Sequence, residues 1–515
     1  VQEDRGPRAP ENAGMKKTIA LVLVVTGLWS VMARAQDVTR TLEAAVAALG
    51  AGNLKSIEFA GTGSDYIFGQ AYDGNSPWPR FGLPRFTMAI DYTVPAMRDE
   101  RTRVQVQNPP LGGGFQPLVG ELRQTWVLSG SRAWDIVGGA AVPAAPERDL
   151  RTAAEGRLAQ IWLTPHGFIK AATTGNPAAR SLTVRGAKKT VITFTAPNKT
   201  RFEGILDDQN LVERIETRFD NPVLGDTVFE AVFRDYKDFA GVKFPTHILQ
   251  RSGGYPVLDV TITSVKPNAP VSIDVPANIT QAAAAQPQGL KSELLADGVW
   301  NLWLDARDRA VVVEFRDFVA VVEAHDSEAV SIAAIDAVKK LVPGKPIRYI
   351  INTHSHFDHS GGLRTYVAEG ARVVTHRDNI PFYEQVWANP RTINPDRLAK
   401  SGRQPVFEGV VGGRTLTDGS RELVMYHYAG NMHNAGMLMV YLPKEKILIE
   451  ADSFSPSDNP NEVPTAIPNL VHFHDVVDRL RLEVELVVPL HGRLATLEEI
   501  RKVTGTFRDT QLWAK

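Results

Sequence analysis

Between residues 310 and 353 the sequence holds three runs, "AVVVEF", "FVAVVEA" and "PIRYIINT", in which neighbouring positions are apolar. A strand with one wet face alternates apolar and polar residues. Runs such as these need cover on both faces and belong to a sheet inside a layered domain. A helix is predicted over Val330 to Leu341, between the second and third runs. Buried strands alternating with helices define an α/β arrangement.

The preceding half has another texture. From about Leu54 to Val275 the pattern is mostly strand-like, as in "TVITFTA" and "LDVTITSV". Two hairpins are predicted, turning at Asp207 to Asn210 and at Asp238 to Gly241. Short alternating strands joined by tight turns imply an antiparallel sheet, curved or partly closed. A helix over 37–50, ending at Gly50, precedes it. The stretch "ITQAAAAQPQG" is small, polar and aperiodic, so residues 281–289 mark a linker. The expected organisation is α+β in two domains, a β-rich one over 36–280 and a second over 290–515. No catalytic constellation is visible in the first, where only His166 and His247 of the chain's twelve histidines fall. Its hairpins loosely resemble the curved sheets of periplasmic lipoprotein-carrier domains.

A formal net charge of −1 over 515 residues gives no reason to expect nucleic acid or an anionic membrane surface as partner. The partner expected is a small-molecule substrate, and the oligomeric state is left open. The chain has no cysteine, so any metal site must be built from His, Asp and Glu. Residues 15–35 read as a signal peptide: Lys16 and Lys17, an apolar run, then Ala33 and Ala35 in small-x-small spacing, placing a mature start at Gln36. The apolar run falls short of the ~20 residues of a spanning helix. A periplasmic or secreted mature chain without membrane insertion is expected, and residues 1–14 resemble upstream sequence read into the frame.

"INTHSHFDHSGG", residues 351–362, follows the third buried strand and leads into a helix that Gly370 closes. Ligand sites in α/β sheets favour the carboxyl ends of strands. In extended chain His354 and His356 face one side, and the turn after them brings Asp358 and His359 round to a neighbouring position. Two pairs of ligands a short distance apart suit two metals better than one.

"THSHFDHSGG" resembles the His-x-His-x-Asp-His motif of the metallo-β-lactamase superfamily, a likeness covering residues 295–515. The resemblance implies an αββα sandwich and three further ligands in order at strand ends. His433 in "NMHNAGMLMVYLP", Asp452 in "KILIEADSF" and His491 in "LVVPLHG" fill those places. By the family pattern His354, His356 and His433 hold one ion, Asp358, His359 and His491 the other, and Asp452 bridges them with a hydroxide. Lone histidines are more often hydrogen-bonded than ligating, and His325, His376, His427, His472 and His474 are read that way.

The implied activity is that of a dinuclear zinc hydrolase cleaving an ester, lactone, thioester or amide-type bond, with Asp358 also orienting the nucleophile. Iron in place of zinc stays open. Asp452 stands where β-lactamases of the family usually carry cysteine or serine, which favours the thioesterase and lactonase branches over a β-lactamase proper. The alkylsulfatase branch usually carries its extra domain after the catalytic one. The alternatives are β-lactamase activity proper, a mononuclear iron persulfide dioxygenase-like enzyme and an apolar-ligand binding protein with a vestigial metal site. A fragment from about Gly289 to Lys515 is expected to bind metal by itself.

Overall fold

The computed structural model describes residues 37–145, 152–184, 186–282, 289–304, 309–457, 459 and 467–509. The signal segment, the cleavage site at Gln36 and most of the expected linker lie outside the described residues.

Thirteen strands between Ser56 and Pro267 form one antiparallel sheet. The strand Ser56–Tyr66 pairs with Arg80–Asp91 on one side and with Tyr255–Pro267 on the other. Both predicted hairpins are present. Arg201–Leu206 pairs with Val212–Asn221, and Gly225–Phe239 with Val242–Ser252. At the second turn Ala240 and Gly241 both take positive φ, 54° and 84°, a conformation that glycine adopts without strain.

Helices cover part of this sheet. The expected first one spans 37–49 and ends at Gly50. Two more, Ala153–Trp162 and Pro165–Thr174, interrupt what reads as a strand-like half. Their local signals are strong. Thr152 and Glu155 form a capping box, and Thr164 caps the second helix, whose first residue is Pro165. Ile161, Phe168, Ile169 and Ala172 meet Val38, Leu42, Ala45 and Leu49 in one core against Phe59, Phe202 and Phe244 of the sheet.

The second half is a layered α+β sandwich. A seven-stranded sheet runs from Lys291–Ala296 to Phe407–Val410, antiparallel at first and parallel from Val319–Val322 onward. A five-stranded sheet runs from Gly413–Thr417 to Leu486–Pro489. The apolar runs divide by parity. Ala310, Val312, Val319, Val321, Ile350 and Val373 face one core, together with helices Glu328–Leu341 and Leu363–Glu369. Val311, Val313, Ala320, Val322, Ile351 and Val374 face another, shared with the five-stranded sheet and with helix Pro468–Leu480. Period-2 alternation places consecutive valines on opposite faces, and both faces are covered. That is why "AVVV" and "FVAVV" contain no polar gap.

The halves are packed together. Phe357, from the histidine-rich motif, sits edge-on to Phe68 and Trp78 of the first half, with ring centroids 5.3 and 5.7 Å apart. Val223, Val386 and Phe382 complete this apolar seam. Beside it, buried Arg391 donates to the carbonyls of Asn221 and Val223, and Asp226 accepts from the backbone N–H groups of Thr392 and Ile393.

Candidate metal centre

Strand Ile347–Ile351 ends in Asn352, a fully buried amide that uses both ends. Its Nδ2 donates to the carbonyls of His354 (2.7 Å) and His359 (3.0 Å). Its Oδ1 accepts from Thr375 and Tyr383 at 3.0 and 2.7 Å. The backbone of the motif is thereby wrapped round one side chain. This fixes where His354 and His359 leave the chain.

The structure brings all seven sequence-predicted residues into one cluster. The donor atoms of His354, His356 and His433 lie within 4.8 Å of one another, as do those of Asp358, His359 and His491. Asp452 stands between the two groups. Its Oδ2 is 2.8 Å from His359 Nε2, 3.4 Å from His354 Nε2 and 3.6 Å from His433 Nε2, and its Oδ1 is 3.5 Å from His491 Nε2. Asp452 has φ 61°, a strained conformation that aspartate tolerates better than most residues, and Ser453 N–H donates back to the Ala451 carbonyl. That tight turn aims the carboxylate inward.

The tautomers follow from the partners on the outer side of each ring. The Thr353 hydroxyl donates to Glu323, so its oxygen accepts from His354 Nδ1–H at 3.0 Å. His359 Nδ1 donates to Glu323 Oε2 at 3.1 Å. His356 Nε2 donates to the Ala71 carbonyl at 2.9 Å. His354 Nε2 and His356 Nδ1, 2.9 Å apart, therefore both carry bare lone pairs, and their contact is not a hydrogen bond between neutral rings. His359 Nε2 meets His491 Nε2 at 3.0 Å with its own ring proton already placed. Buried His433 Nε2 has no hydrogen-bond partner among the described residues. At His354, His356 and His433 lone pairs converge with nothing between them to donate, which fits a cation, while protonated His359 donates from Nε2 to Asp452 and would give up that proton to a metal. The residues present fit a metal pair.

Electrostatics agree. Burial pulls His354 well below the ordinary imidazole range, and the charges of His359 and His356 add to this. Burial, then His433, brings His356 down to about 3, and burial lowers His433 as well. All three are neutral at neutral pH, the form in which an imidazole can bind a metal. His359 differs. Burial lowers it, but Asp452 and Glu323 together hold it well above the usual value. Asp452, raised by burial, is held well below the carboxylate range by His359, His433 and His491. Glu323 also lies near His354 and His359 in ligating range. Its engagement with His359 Nδ1 makes it the carboxylate behind a ligand instead.

Sequence reasoning missed this outer layer. Glu323 ends the buried run "FVAVVE", a place where a carboxylate has no structural reason to be, and that was the available signal. No such signal marks Gln70 or Ala71. They lie in the loop after strand Ser56–Tyr66, in the other half, yet reach Asp358 and His356. Gly113, in a second loop, is so close that a Cβ there would stand 2.7 Å from His356 Cε1 and 2.8 Å from His433 Cε1. The other histidines are hydrogen-bonded elsewhere or stand apart from the cluster. His427 and His472, for example, bond the Ala435 and Ala429 carbonyls.

This fold and site define a class. Residues 310–494 match the metallo-beta-lactamase superfamily. That match lies within the C-terminal half of the chain and takes in all seven clustered residues. Among curated proteins, the alpha subunit of 2,4-dinitroanisole O-demethylase from Nocardioides sp. (strain JS1661) is 26% identical over 210 residues, 39% of this chain and 57% of that protein. A linear primary-alkylsulfatase of Pseudomonas sp is 33% identical over 75 residues, 15% of this chain and 11% of that protein. The chain spans less than two thirds of either relative. Solved structures of similar fold include a metallo-beta-lactamase of Pseudomonas aeruginosa in its mono-zinc form, at 19% identity, 44% of this chain, 97% of that one and a TM-score of 0.33. Another is a metallo-beta-lactamase from Pontibacter korlensis, at 17% identity, 43% of this chain, 100% of that one and a TM-score of 0.32.

Proposed function

We propose that the chain is an exported dinuclear zinc hydrolase of small molecules, cleaving an ester, lactone, thioester or amide-type bond. The observation that carries this reading is the pair of converging donor groups with Asp452 between them. His354, His356 and His433 would hold one ion, and Asp358, His359 and His491 the other. Two divalent ions, when bound, would supply Lewis acidity, lowering the pKa of a water towards ~7 and neutralising the charge that develops on the substrate's oxygen.

The chain's own residues do the rest. Glu323 keeps His359, and through Thr353 also His354, with Nε2 turned inward. The Ala71 carbonyl does the same for His356 Nδ1. Asp358 has one oxygen 3.9 Å from His491 Nε2, where it can accept a proton from a water attacking the substrate. A cleft of about 480 Å³ lies between the halves beside Ser355 and Phe357, lined by Trp78, Tyr255 and Phe382. Asp73, Asp226 and Glu230 line it too, and it borders the proposed ligands through Ser355 and Phe357 without including one. The larger groove along helix 37–49 contains none of them either.

The names of the two curated relatives denote action at an oxygen-linked group, an O-methyl in one and an alkyl sulfate in the other. The alkylsulfatase stretch returns sulfate esters, set aside on domain order, to the substrates to be assayed. The test is turnover by zinc-loaded protein across carboxylic esters, lactones, thioesters, β-lactams and alkyl sulfates. Hydrolysis of at least one class, abolished by chelation and restored by zinc, is expected. Oxygen consumption with a persulfide by iron-loaded protein, without hydrolysis of any class, would replace this reading. Export predicts Gln36 as the N-terminal residue of protein recovered from the periplasm or medium, and a retained residue 15 would contradict it.

A further inference from the structure

The loop after strand Ser56–Tyr66 reaches across the interface and lays three consecutive residues against three consecutive residues of the motif. The Gly69 carbonyl accepts from Phe357 N–H at 3.2 Å, and the Ala71 carbonyl accepts from His356 Nε2. Between them Gln70, only 4% exposed, donates from Nε2 to Asp358 Oδ1 at 2.8 Å. Gln70 is itself fixed. Its own carbonyl accepts from Gly113 N–H at 3.0 Å, and Gly112 N–H donates to the Met432 carbonyl, next to His433, at 2.9 Å. Space is closed as well. A Cβ on Gly69 would lie 2.6 Å from the Phe357 ring, and one on Gly113 would lie 2.1 Å from Gln70 Oε1.

Asp358 has two oxygens and two directions to face. Oδ1 is held by Gln70, which leaves Oδ2 on the side of His491. An amide donor suits this place better than a lysine or arginine. It hydrogen-bonds the carboxylate and leaves its negative charge intact for a cation. We propose that Gln70 is a positioning residue for Asp358, so that the metal centre is built jointly by both halves and the N-terminal sheet sets the affinity of one ion of the pair. This rests on the two-ion reading above. The side-chain hydrogen bond that Gln70 makes to a proposed ligand goes to Asp358, so its removal should act first on the ion held by Asp358, His359 and His491.

The experiment is a zinc titration of the metal-free full-length protein by competition with a chromophoric chelator. It compares wild type with Gln70→Ala and with Gln70→Met, which keeps length and packing but cannot donate. Each is repeated with cobalt(II), whose visible spectrum reports ligand geometry. Removing such an outer partner weakens a metal by about 10- to 100-fold. The expected result is a loss of that size for one ion only in both variants, with a changed cobalt spectrum for that ion and an unchanged far-UV circular dichroism spectrum. Two ions bound with wild-type affinity in Gln70→Met would overturn the inference and leave the two-ion reading standing. Parallel weakening of both ions would also overturn it, showing that Gln70 only holds the halves together. A wild-type chain that binds fewer than two ions would contradict the two-ion reading and this inference with it.

Discussion

Glu323 has φ 79°, is buried, and spends one carboxylate on two ligands, His359 directly and His354 through Thr353. Its replacement by glutamine keeps the shape but removes the charge that orients both rings. Glu323→Gln should weaken zinc by about 10- to 100-fold and leave the fold intact. Affinity within threefold of wild type in chelator competition would show that the rings need no such support. A second buried residue, away from the metal, makes a pH prediction. His166 stacks on Phe244 and donates from Nε2 to the Leu49 carbonyl at 3.2 Å, and its Nδ1 is buried without a partner among the described residues. Burial, only partly offset by the Leu49 bond, brings its pKa down to about 4. The folded value lies below the unfolded one of about 6.5, so the unfolded chain binds more protons between them. Stability should fall as pH drops from about 6.5 to 4, by about 3 kcal/mol from this residue at most. His166→Gln, which keeps a donor, should lessen that slope in denaturation midpoints measured at pH 7 and 4.5. Equal slopes would rule out His166 as the source.

At the scale of elements, the sequence shows what local periodicity and local chemistry encode. The runs around Val311, Val321 and Ile350 gave the buried strands. The spacing of His354, His356, Asp358 and His359 at a strand end gave the motif. The tight turns at Asp207 and Gly241 gave the hairpins. The helices over 153–174 were missed because a strand-like neighbourhood outweighed the caps at Thr152 and Thr164, where a local signal did exist. The loops of the first half were illegible for another reason. Gln70 meets Asp358 across 288 positions, and His356 meets Ala71 across 285, so no window of sequence contains both partners. "LGGGF" reads as a plain flexible loop until Gly113 is seen against the rings of His356 and His433. Gly113→Ala puts a methyl group where Gln70, His356 and His433 already stand. Loss of about tenfold or more in zinc affinity is expected, with KM and kcat both affected. Unchanged metal affinity and kinetics would mean that the loop moves aside without cost.

The two halves meet in one packed interface. The interface contains Phe357, Trp78, Val223 and Val386, all buried, together with the clasp between Arg391 and the carbonyls of Asn221 and Val223. A buried phenylalanine alone contributes about 1.5–3 kcal/mol. A fragment covering 289–515 looks separable on sequence, because every proposed ligand lies inside it. Cut from the first half, the fragment would expose this apolar seam and lose Gln70 and Ala71 from the outer layer. It should aggregate or self-associate, and any soluble portion should bind zinc more weakly than the full chain. A monodisperse fragment with wild-type zinc affinity would show that the sheet is a bystander. In the proposed function seven residues from strand ends, one loop and one turn would hold two ions, with Asp452 between the two groups. Metal analysis of the purified full-length protein tests it most directly, with His433→Ala, His491→Ala and Asp452→Ala measured alongside. Two zinc ions per chain are expected in the wild type, about one in each histidine variant, and weakened binding of both ions in the aspartate variant. One iron, or no metal at all, in a folded wild-type chain would contradict it.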